Sequence, residues 1–170
     1  MAREKFTFFW QGPFSQWHAS TFSVNGRRFS HAEQFMMYCK AVLFHDSESA
    51  EKILQSHTPQ QQKALGRQIR GFNEAVWGLF REGIVSTGSY AKFTQDPELL
   101  ELLLATRGTT LVEASPHDRV WGIGLAENDP RAEDRSRWRG LNLLGEILTR
   151  TREAIAWEMS QGRKPKKALI

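Results

Sequence analysis

A chain of 170 residues, 40% of them hydrophobic, is long enough to form one domain with a substantial core. No apolar run is long enough to span a membrane, and the first five residues lack the apolar stretch of a signal peptide. The single cysteine, Cys39, excludes an internal disulfide, and the five histidines show no zinc-ligand spacing. We therefore expect a cytoplasmic protein that holds no metal and needs no cofactor.

The net charge of +4 is unevenly distributed along the chain. Residues 161–170 contain four basic residues and no acidic one, and the remaining basic residues equal the 19 acidic residues in number. A nucleic-acid-binding domain usually carries a basic surface across its fold. We therefore divide the chain into a domain at residues 1–160 and a basic tail at residues 161–170, which we expect to be disordered.

A second basic cluster lies before the last predicted helix. Its members alternate with Glu133 and Asp134, so a solvated loop is favoured. Contact with the phosphates of a nucleic-acid substrate is the alternative. The basic members of this cluster are Arg131, Arg135, Arg137 and Arg139.

Short strands are predicted near the start of the chain. Asn25-Gly26 lies between Thr21–Val24 and Arg27–Phe29, which is a strong signal for a two-residue hairpin. Together with Phe6–Phe9, this hairpin predicts a small antiparallel sheet. Thr109–Glu113 predicts a further short strand.

Four helices are predicted from their start and stop signals. With the strands, they predict an α+β single domain that is mostly helical and has a small antiparallel sheet. The predicted helices run from Ser30 to about Phe44, from Thr58 with Pro59 at N1 and Gln61 at N3, from Asp96-Pro97 through a leucine-rich stretch to near Gly108, and from Gly140 to about Met159.

The first predicted helix has two different faces. One is an apolar stripe at helical spacing, which predicts contact with the core. The other, formed by Glu33, Met37, Lys40 and Phe44, mixes an acid, an amine and apolar groups in a way that suits a pocket wall. Ser30 and Glu33 also match a capping box. Glu33 is therefore either a helix cap, with Lys40 solvated, or a charge-handling group that lines a pocket with Lys40.

The second candidate site is a predicted loop in which Asp118 precedes Trp121-Gly122-Ile123-Gly124. The third glycine of a dinucleotide fingerprint is missing, and no helix with βαβ periodicity follows. A carboxylate, an indole and two glycines supply a proton-handling group, a stacking surface and a backbone that a phosphate can approach. The alternative is a turn beside a core tryptophan.

An ordered set of short motifs resembles the NADAR family. The resemblance covers about Phe6 to Glu153, and Gln16 stands where the family usually has asparagine. Each motif is weak alone, whereas the ordered set is specific. The matching segments are Gly12–Trp17, Phe29–Lys40, Ala64–Arg67 with Trp77, Lys92-Phe93, Leu102–Thr106, Leu111–Glu113, Asp118 with Trp121–Gly124, and Trp138–Gly145.

The resemblance implies an N-glycosidase that hydrolyses the bond between ribose C1 and an amine nitrogen. It implies two groups of substrates: ADP-ribose attached to guanine in nucleic acid, and phosphorylated ribosylamino-pyrimidine intermediates of riboflavin synthesis. For the first group, a functional pairing with an ADP-ribosyltransferase is expected. Glu33, Lys40 and Asp118 are the catalytic candidates. The substrate-binding candidates are Phe14, Ser15, Arg67, Trp77, Trp121, Gly122, Gly124 and Asn142.

The residues support this chemistry independently of the resemblance. Cleavage of a C–N glycosidic bond develops positive charge on the ribose, which a carboxylate such as Glu33 or Asp118 stabilises. Lys40 could hold a phosphate, donate a proton or form a Schiff base with ring-opened ribose. We expect Glu33, Lys40, Asp118 and Trp121 to line one cavity, with Asn142 at its rim. The alternatives are a non-catalytic module that binds ADP-ribose or an NAD derivative, and a nucleic-acid binder that relies on the basic tail.

Overall fold

The computed structural model describes residues 4–163, and within them the chain is α+β and mostly helical, as predicted. The strands are short, and the helices supply most of the ordered backbone. In chain order the elements are β1 (Phe6–Phe9), β2 (Ala19–Val24), β3 (Arg27–His31), α1 (Ala32–Leu43), α2 (Ser47–Gln55), α3 (Pro59–Gly66), α4 (Glu74–Gln95), α5 (Pro97–Ala105), β4 (Thr110–Glu113), a 3-10 turn (Arg135–Arg137) and α6 (Leu143–Ser160).

The chain divides into two units. The terminal unit contains residues 4–15 and 97–163, so it is built from two separate segments of the chain. The inserted unit contains residues 16–96, which are continuous in sequence. Each unit is described below by itself.

The inserted unit starts with the predicted hairpin. β2 and β3 pair antiparallel, and Asn25 and Gly26 between them have φ angles of 48° and 77°, the left-handed values that a two-residue turn needs. Phe22 pairs with Phe29 across the strands, and both rings pack against Phe35 of α1. This aromatic cluster anchors α1, which also packs against α2, α3 and α4.

The predicted start of α1 is wrong. β3 continues through His31, so the helix begins at Ala32 and its N-cap residue makes no side-chain cap bond. The N–H of Ser30 is instead bound by Gln34 Oε1 at 2.8 Å. Glu33 therefore lies within the first turn and does not complete a capping box with Ser30, because Gln34 satisfies that amide.

The start of α3 agrees with the prediction. Thr58 and Gln61 form a capping box with Pro59 in the first turn. Two further helices, α2 and α4, were not predicted. Both begin with local caps, since Asp46 accepts the N–H of Ser49 and Asn73 accepts the N–H of Val76.

The terminal unit contains the second pair of strands. β1 pairs with β4 in parallel, with Phe6 opposite Thr110 and Phe9 opposite Glu113. Phe6–Phe9 therefore does not join the hairpin, and the described residues form two separate two-stranded sheets, of which only β2–β3 is antiparallel. The predicted strand at Thr109–Glu113 is confirmed, and α6 packs against it.

The end of the chain is described only as far as Arg163. Gln161 and Gly162 close the last turn of α6, and the Arg163 guanidinium lies 5.7 Å from the ring centroid of Trp157. The rest of the predicted disordered tail, residues 164–170, lies outside the described residues. Among the helices of residues 4–163, none combines the length and the hydropathy needed to cross a membrane.

Candidate active site

Lys40, near the end of α1, directs its amine toward the last residue of α3. Nζ donates a hydrogen bond to the carbonyl oxygen of Gly66 at 2.9 Å. It also lies 4.2 Å from the ring centroid of Phe72 and 5.7 Å from that of Trp77. Trp77 is buried, whereas Phe72 is 42% exposed. The amine is thus partly buried between a carbonyl and two aromatic rings, which differs from a freely solvated lysine.

This environment changes the protonation of Lys40. Burial lowers the pKa of its amine, and the opposing attraction of Glu74 and Glu33 is smaller. The neutral amine is therefore more accessible than in an exposed lysine. A lysine of this kind is a better base and nucleophile near neutral pH.

Glu33 lies in the first turn of α1 and is 4% exposed. Its N–H donates a hydrogen bond to the carbonyl oxygen of Gln16 at 3.0 Å, which fixes the first turn of α1 to the segment before β2. Its charge raises the pKa of Lys40, which lies about two turns further along the same face of α1, against the larger effect of burial. A carboxylate that is nearly buried and interacts with a lysine is typical of functional sites. The backbone of Gln16 therefore takes part in placing Glu33.

The structure brings part of the predicted binding set to this amine. Trp77 lies in the first turn of α4, where Asn73 caps the helix, and its ring faces Lys40. Arg67 is exposed and is the C-cap residue of α3, next to the Gly66 carbonyl that binds Lys40. The contact of Phe72 with Lys40 was not predicted. The available signal was an aromatic residue directly after a glycine, Gly71.

In the terminal unit, Asp118 organises the predicted glycine loop. Its Oδ1 accepts hydrogen bonds from the N–H groups of Val120 at 2.8 Å and Trp121 at 2.7 Å. This turn, in which an aspartate oxygen binds the backbone two and three residues later, needs only an oxygen acceptor. Asp118 and Trp121 are both partly exposed. The Asp118 side chain therefore shapes the loop and still has exposed surface for another role.

The glycines of this loop are required by close packing. A Cβ on Gly122 would lie 2.8 Å from the carbonyl oxygen of Glu113 and 3.2 Å from that of Asp118. Gly124 has φ +67°, and its N–H donates to the carbonyl oxygen of Asp118 at 3.0 Å. The Gly124 amide is thus used within the loop. Approach of a phosphate to Gly122 or Gly124 stays a prediction.

Asn142 has a structural role at the start of α6. It is fully buried, with Oδ1 accepting the N–H of Glu113 at 2.9 Å and Nδ2 donating to the carbonyl oxygen of Leu111 at 3.0 Å. Its φ of 53° is left-handed, which asparagine tolerates better than most residues. The side chain thus joins α6 to β4. Its predicted contact with substrate is not visible in this arrangement and stays a prediction.

Phe14 and Ser15 follow β1 in the terminal unit, and both are partly exposed. The Phe14 ring packs edge-on against Phe9 at 5.7 Å between centroids. The N–H of Ser15 donates to the carbonyl oxygen of Gly12 and closes a turn. Their predicted role in substrate binding is untested by these contacts.

A buried polar cluster in the inserted unit was not predicted. Lys92 on α4 is 2% exposed, and burial lowers the pKa of its amine to about 7 against the smaller effect of Asp96. Burial and then the charge of Lys92 lower the pKa values of His18 and His31. The sequence carries no signal for this cluster, because the burial of Lys92 is visible only in the fold. No group of three or more His, Cys, Asp or Glu side chains within residues 4–163 is arranged to hold a metal ion.

Comparison with known proteins gives consistent matches. The NADAR domain family model matches residues 8–156. N-glycosidase R617 of Acanthamoeba polyphaga mimivirus is 41% identical over 145 residues, which cover 82% of this chain and 85% of that protein. N-glycosidase YbiA of Escherichia coli K12 is 31% identical over 147 residues, which cover 86% of this chain and 83% of YbiA.

The fold is also similar to a solved structure. The NMR structure of E. coli YbiA matches with a TM-score of 0.77 and 26% identity, covering 95% of this chain and 90% of that one. A third relative, the chloroplastic riboflavin biosynthesis protein PYRR of Zea mays, is 33% identical over 118 residues, which are 65% of this chain and 17% of PYRR.

Proposed function

This chain belongs to the NADAR family, and we propose that it is a hydrolase that cleaves the N-glycosyl bond of an N-ribosylated base. Two relatives carry the name N-glycosidase, which supports the reaction class. The observation that carries the proposal is the Lys40 environment. A partly buried amine with a lowered pKa interacts there with the nearly buried carboxylate of Glu33.

Glu33 would handle the charge that develops during cleavage. As the bond between ribose C1 and the base nitrogen weakens, positive charge accumulates on the ribose. A nearby carboxylate stabilises this charge or removes a proton from the attacking water. The leaving nitrogen must then take up a proton. Glu33 and Asp118 are the proposed carboxylates, and Trp77 and Trp121 are proposed to stack on the base or ribose.

Lys40 has three candidate roles: holding a phosphate, donating the proton, or forming a covalent bond to ribose. In the covalent role, the neutral amine attacks C1 of the ring-opened sugar, and the base leaves with its nitrogen. Water then hydrolyses the resulting imine, which releases the sugar and restores the amine. The lowered pKa supports the covalent role, because only the neutral amine attacks. Treatment with borohydride during turnover would trap this imine as a stable mass increase on the peptide that contains Lys40.

Two substrates are compatible with the proposal. One is ADP-ribose attached to guanine in nucleic acid, and the other is a phosphorylated ribosylamino-pyrimidine of riboflavin synthesis. The riboflavin name of the maize relative supports the second, for the part of PYRR that this chain matches. Incubation of the protein with each substrate, followed by mass spectrometry, would detect released ADP-ribose in one case and ribose phosphate in the other. We expect hydrolysis to continue in the presence of a chelator; loss on chelation with recovery by a divalent metal would contradict a metal-free site.

Glu33→Gln tests the catalytic assignment. The substitution keeps the shape of the side chain and removes its charge, so we expect normal folding and a loss in rate on the order of 100-fold. Glu101→Gln, on the exposed side of α5, is the matched control and should retain full activity. Tight binding of ADP-ribose by the unmodified protein, together with no hydrolysis of either ribosylated substrate, would instead favour a non-catalytic binding module.

A further inference from the structure

The arginine cluster that precedes α6 divides into neutralised and unneutralised members. Arg131 is paired with Asp129, and Arg135 is paired with both Glu4 and Glu146, at 2.6 Å in each case for Arg135. Within residues 4–163, Arg137 and Arg139 have no carboxylate within salt-bridge distance, and both are exposed. Hydrogen bonds from Arg131 are the main cause that lowers the pKa of the Asp129 carboxyl, and the charge of Arg139 contributes least. Asp129 is therefore paired with Arg131, and Arg139 keeps most of its positive charge.

Arg119, which follows Asp118 in the loop, lies beside Arg139. A Cβ on Gly124 would lie 3.1 Å from Cγ of Arg119 and 3.1 Å from Cβ of Arg139. The two side-chain stems thus contact the same backbone residue. Backbone hydrogen bonds also join the segment around Arg139 to the loop that carries Arg119. The N–H of Arg139 donates to the carbonyl oxygen of Ile123 at 2.9 Å, and the N–H of Leu141 donates to that of Arg119 at 3.0 Å.

This arrangement places the stems of two arginines side by side, and neither arginine has an ion-paired carboxylate of its own anywhere in residues 4–163. Like Arg139, Arg119 is exposed and makes no ion pair with another described residue. Two neighbouring positive charges repel each other, and an anion bound between them removes the repulsion. The guanidinium group binds phosphate oxygens in a two-pronged geometry that lysine lacks.

Exposed aromatic surface lies near the same loop. Trp10 is 51% exposed, and its ring centroid lies 6.5 Å from that of His117, the residue before Asp118. Basic side chains together with exposed aromatic rings are typical of surfaces that bind nucleotides, because the charges bind phosphates and the rings stack on bases. An exposed tryptophan at the loop that carries Arg119 therefore favours a nucleotide phosphate over a simple inorganic anion.

We propose that Arg119 and Arg139 form a phosphate-binding subsite next to the Asp118 loop, which binds a phosphate group carried by the ribosylated substrate. This inference rests on the proposed function and extends it, since it requires the substrate to be phosphorylated. Gly124 fits this arrangement, because a Cβ there would crowd both arginine stems at 3.1 Å. The phosphate comes either from the ribosyl nucleotide itself or from the backbone of a nucleic acid that carries it.

The test measures binding, so that it does not depend on turnover. Calorimetry would compare ADP-ribose and ribose 5-phosphate with adenosine and ribose, for the wild-type protein and for Arg119→Gln, Arg139→Gln and the double variant. We expect each single substitution to weaken binding of the phosphorylated probes on the order of 10-fold, and the double variant by more. Binding of the unphosphorylated probes should not change. Arg107→Gln, an exposed arginine of the same unit, is the matched control.

A single-stranded oligonucleotide separates the two sources of phosphate. If the phosphate belongs to a nucleic-acid backbone, the double variant should bind the oligonucleotide more weakly and with a shallower salt dependence. If it belongs to the nucleotide, only ADP-ribose and ribose 5-phosphate binding should fall. Unchanged binding of all three phosphate-bearing probes by a folded double variant would overturn the subsite. Loss of probe binding in these variants, combined with full activity of Glu33→Gln, would instead refute the proposed catalytic role and leave the subsite standing.

Discussion

Substitution of Asn142 distinguishes a structural role of this residue from the predicted contact with substrate. Its side chain binds the N–H of Glu113 and the carbonyl oxygen of Leu111, and its backbone is left-handed. Asn142→Ala removes both hydrogen bonds and places a residue with a Cβ and no polar group in that conformation. The structure therefore predicts a loss of stability that does not depend on any ligand.

The magnitude follows from three contributions. Each backbone group left without a partner in a buried position costs about 1 to 3 kcal/mol. An ordinary residue in the left-handed region costs about 1 to 2 kcal/mol more. The free energy of unfolding should thus fall by roughly 3 to 8 kcal/mol, which is a large part of the 5 to 15 kcal/mol typical of a domain. Asn142→Gly should be less harmful than Asn142→Ala by about 1 kcal/mol, because glycine accepts the left-handed backbone.

Chemical denaturation of the three proteins would measure these differences, and the midpoint and slope would be fitted together. Thermal unfolding should show a decrease in Tm of at least roughly 6 °C for Asn142→Ala. The reasoning would be refuted by an alanine variant with wild-type stability. If that variant also showed a raised KM with unchanged kcat, Asn142 would be a substrate contact.

Three further predictions concern other residues. Asp118→Asn keeps the oxygen that binds the amides of Val120 and Trp121, so the variant should fold normally. If the charge of Asp118 takes part in catalysis, the rate should fall on the order of 100-fold. Coupling to Glu33→Gln in a double-mutant cycle would show that the two carboxylates act together. Lys92 has a pKa of about 7 in the folded protein and an ordinary lysine value in the unfolded chain. Between pH 7 and about 10.5 the unfolded chain binds more protons, so the free energy of unfolding should rise with pH in this range. Lys92→Met should flatten this rise in pH-dependent unfolding experiments. Gly145→Ala should destabilise the protein strongly, since its Cβ would overlap the Leu111 carbonyl and lie 2.5 Å from Asn142 Oδ1, whereas Gly83→Ala on α4 meets nothing within 4 Å and should be neutral or stabilising by about 1 kcal/mol.

Local signals in the sequence predicted the local features well. The hairpin at Asn25-Gly26 and the capping box at Thr58 each depend on a few neighbouring residues, and both are present in the structure. The Ser30 cap failed although it uses the same rules. There, two acceptors compete for one amide, and Gln34 takes it because β3 extends to His31.

Features that depend on distant residues could not be predicted in this way. The pairing of β1 with β4 joins residues about a hundred positions apart, and nothing in either strand specifies its partner. α4 also escaped prediction, because glycines at 78 and 83 interrupt its pattern and Leu79 and Phe80 are exposed apolar residues. Its start at Asn73 depends on a cap that resembles many loop sequences.

The candidate site shows the same division. Glu33 and Lys40 could be selected because their spacing along one helix places them on one face. In the structure, burial lowers the pKa of Lys40, and the charges of Glu74 and Glu33 oppose this effect. The contacts of Lys40 with Gly66 and Phe72 come from other segments and required the fold. The resemblance identified Asn142 and Gly122 as important, but only the structure shows that they meet packing and hydrogen-bonding requirements at β4 and the Asp118 loop.

The division of the terminal unit between the two ends of the chain has a consequence for biosynthesis. The inserted unit is continuous, so its hairpin and helices can form as soon as residues 16–96 have left the ribosome. β1 is made first but must wait for β4, about a hundred residues later, before its backbone groups find their partner. A nascent chain stalled once residue 96 has left the ribosome should therefore hold a protease-resistant inserted unit, while residues 4–15 remain open to cleavage. Residues 4–15 should become protected only after β4 and α6 have also left the ribosome.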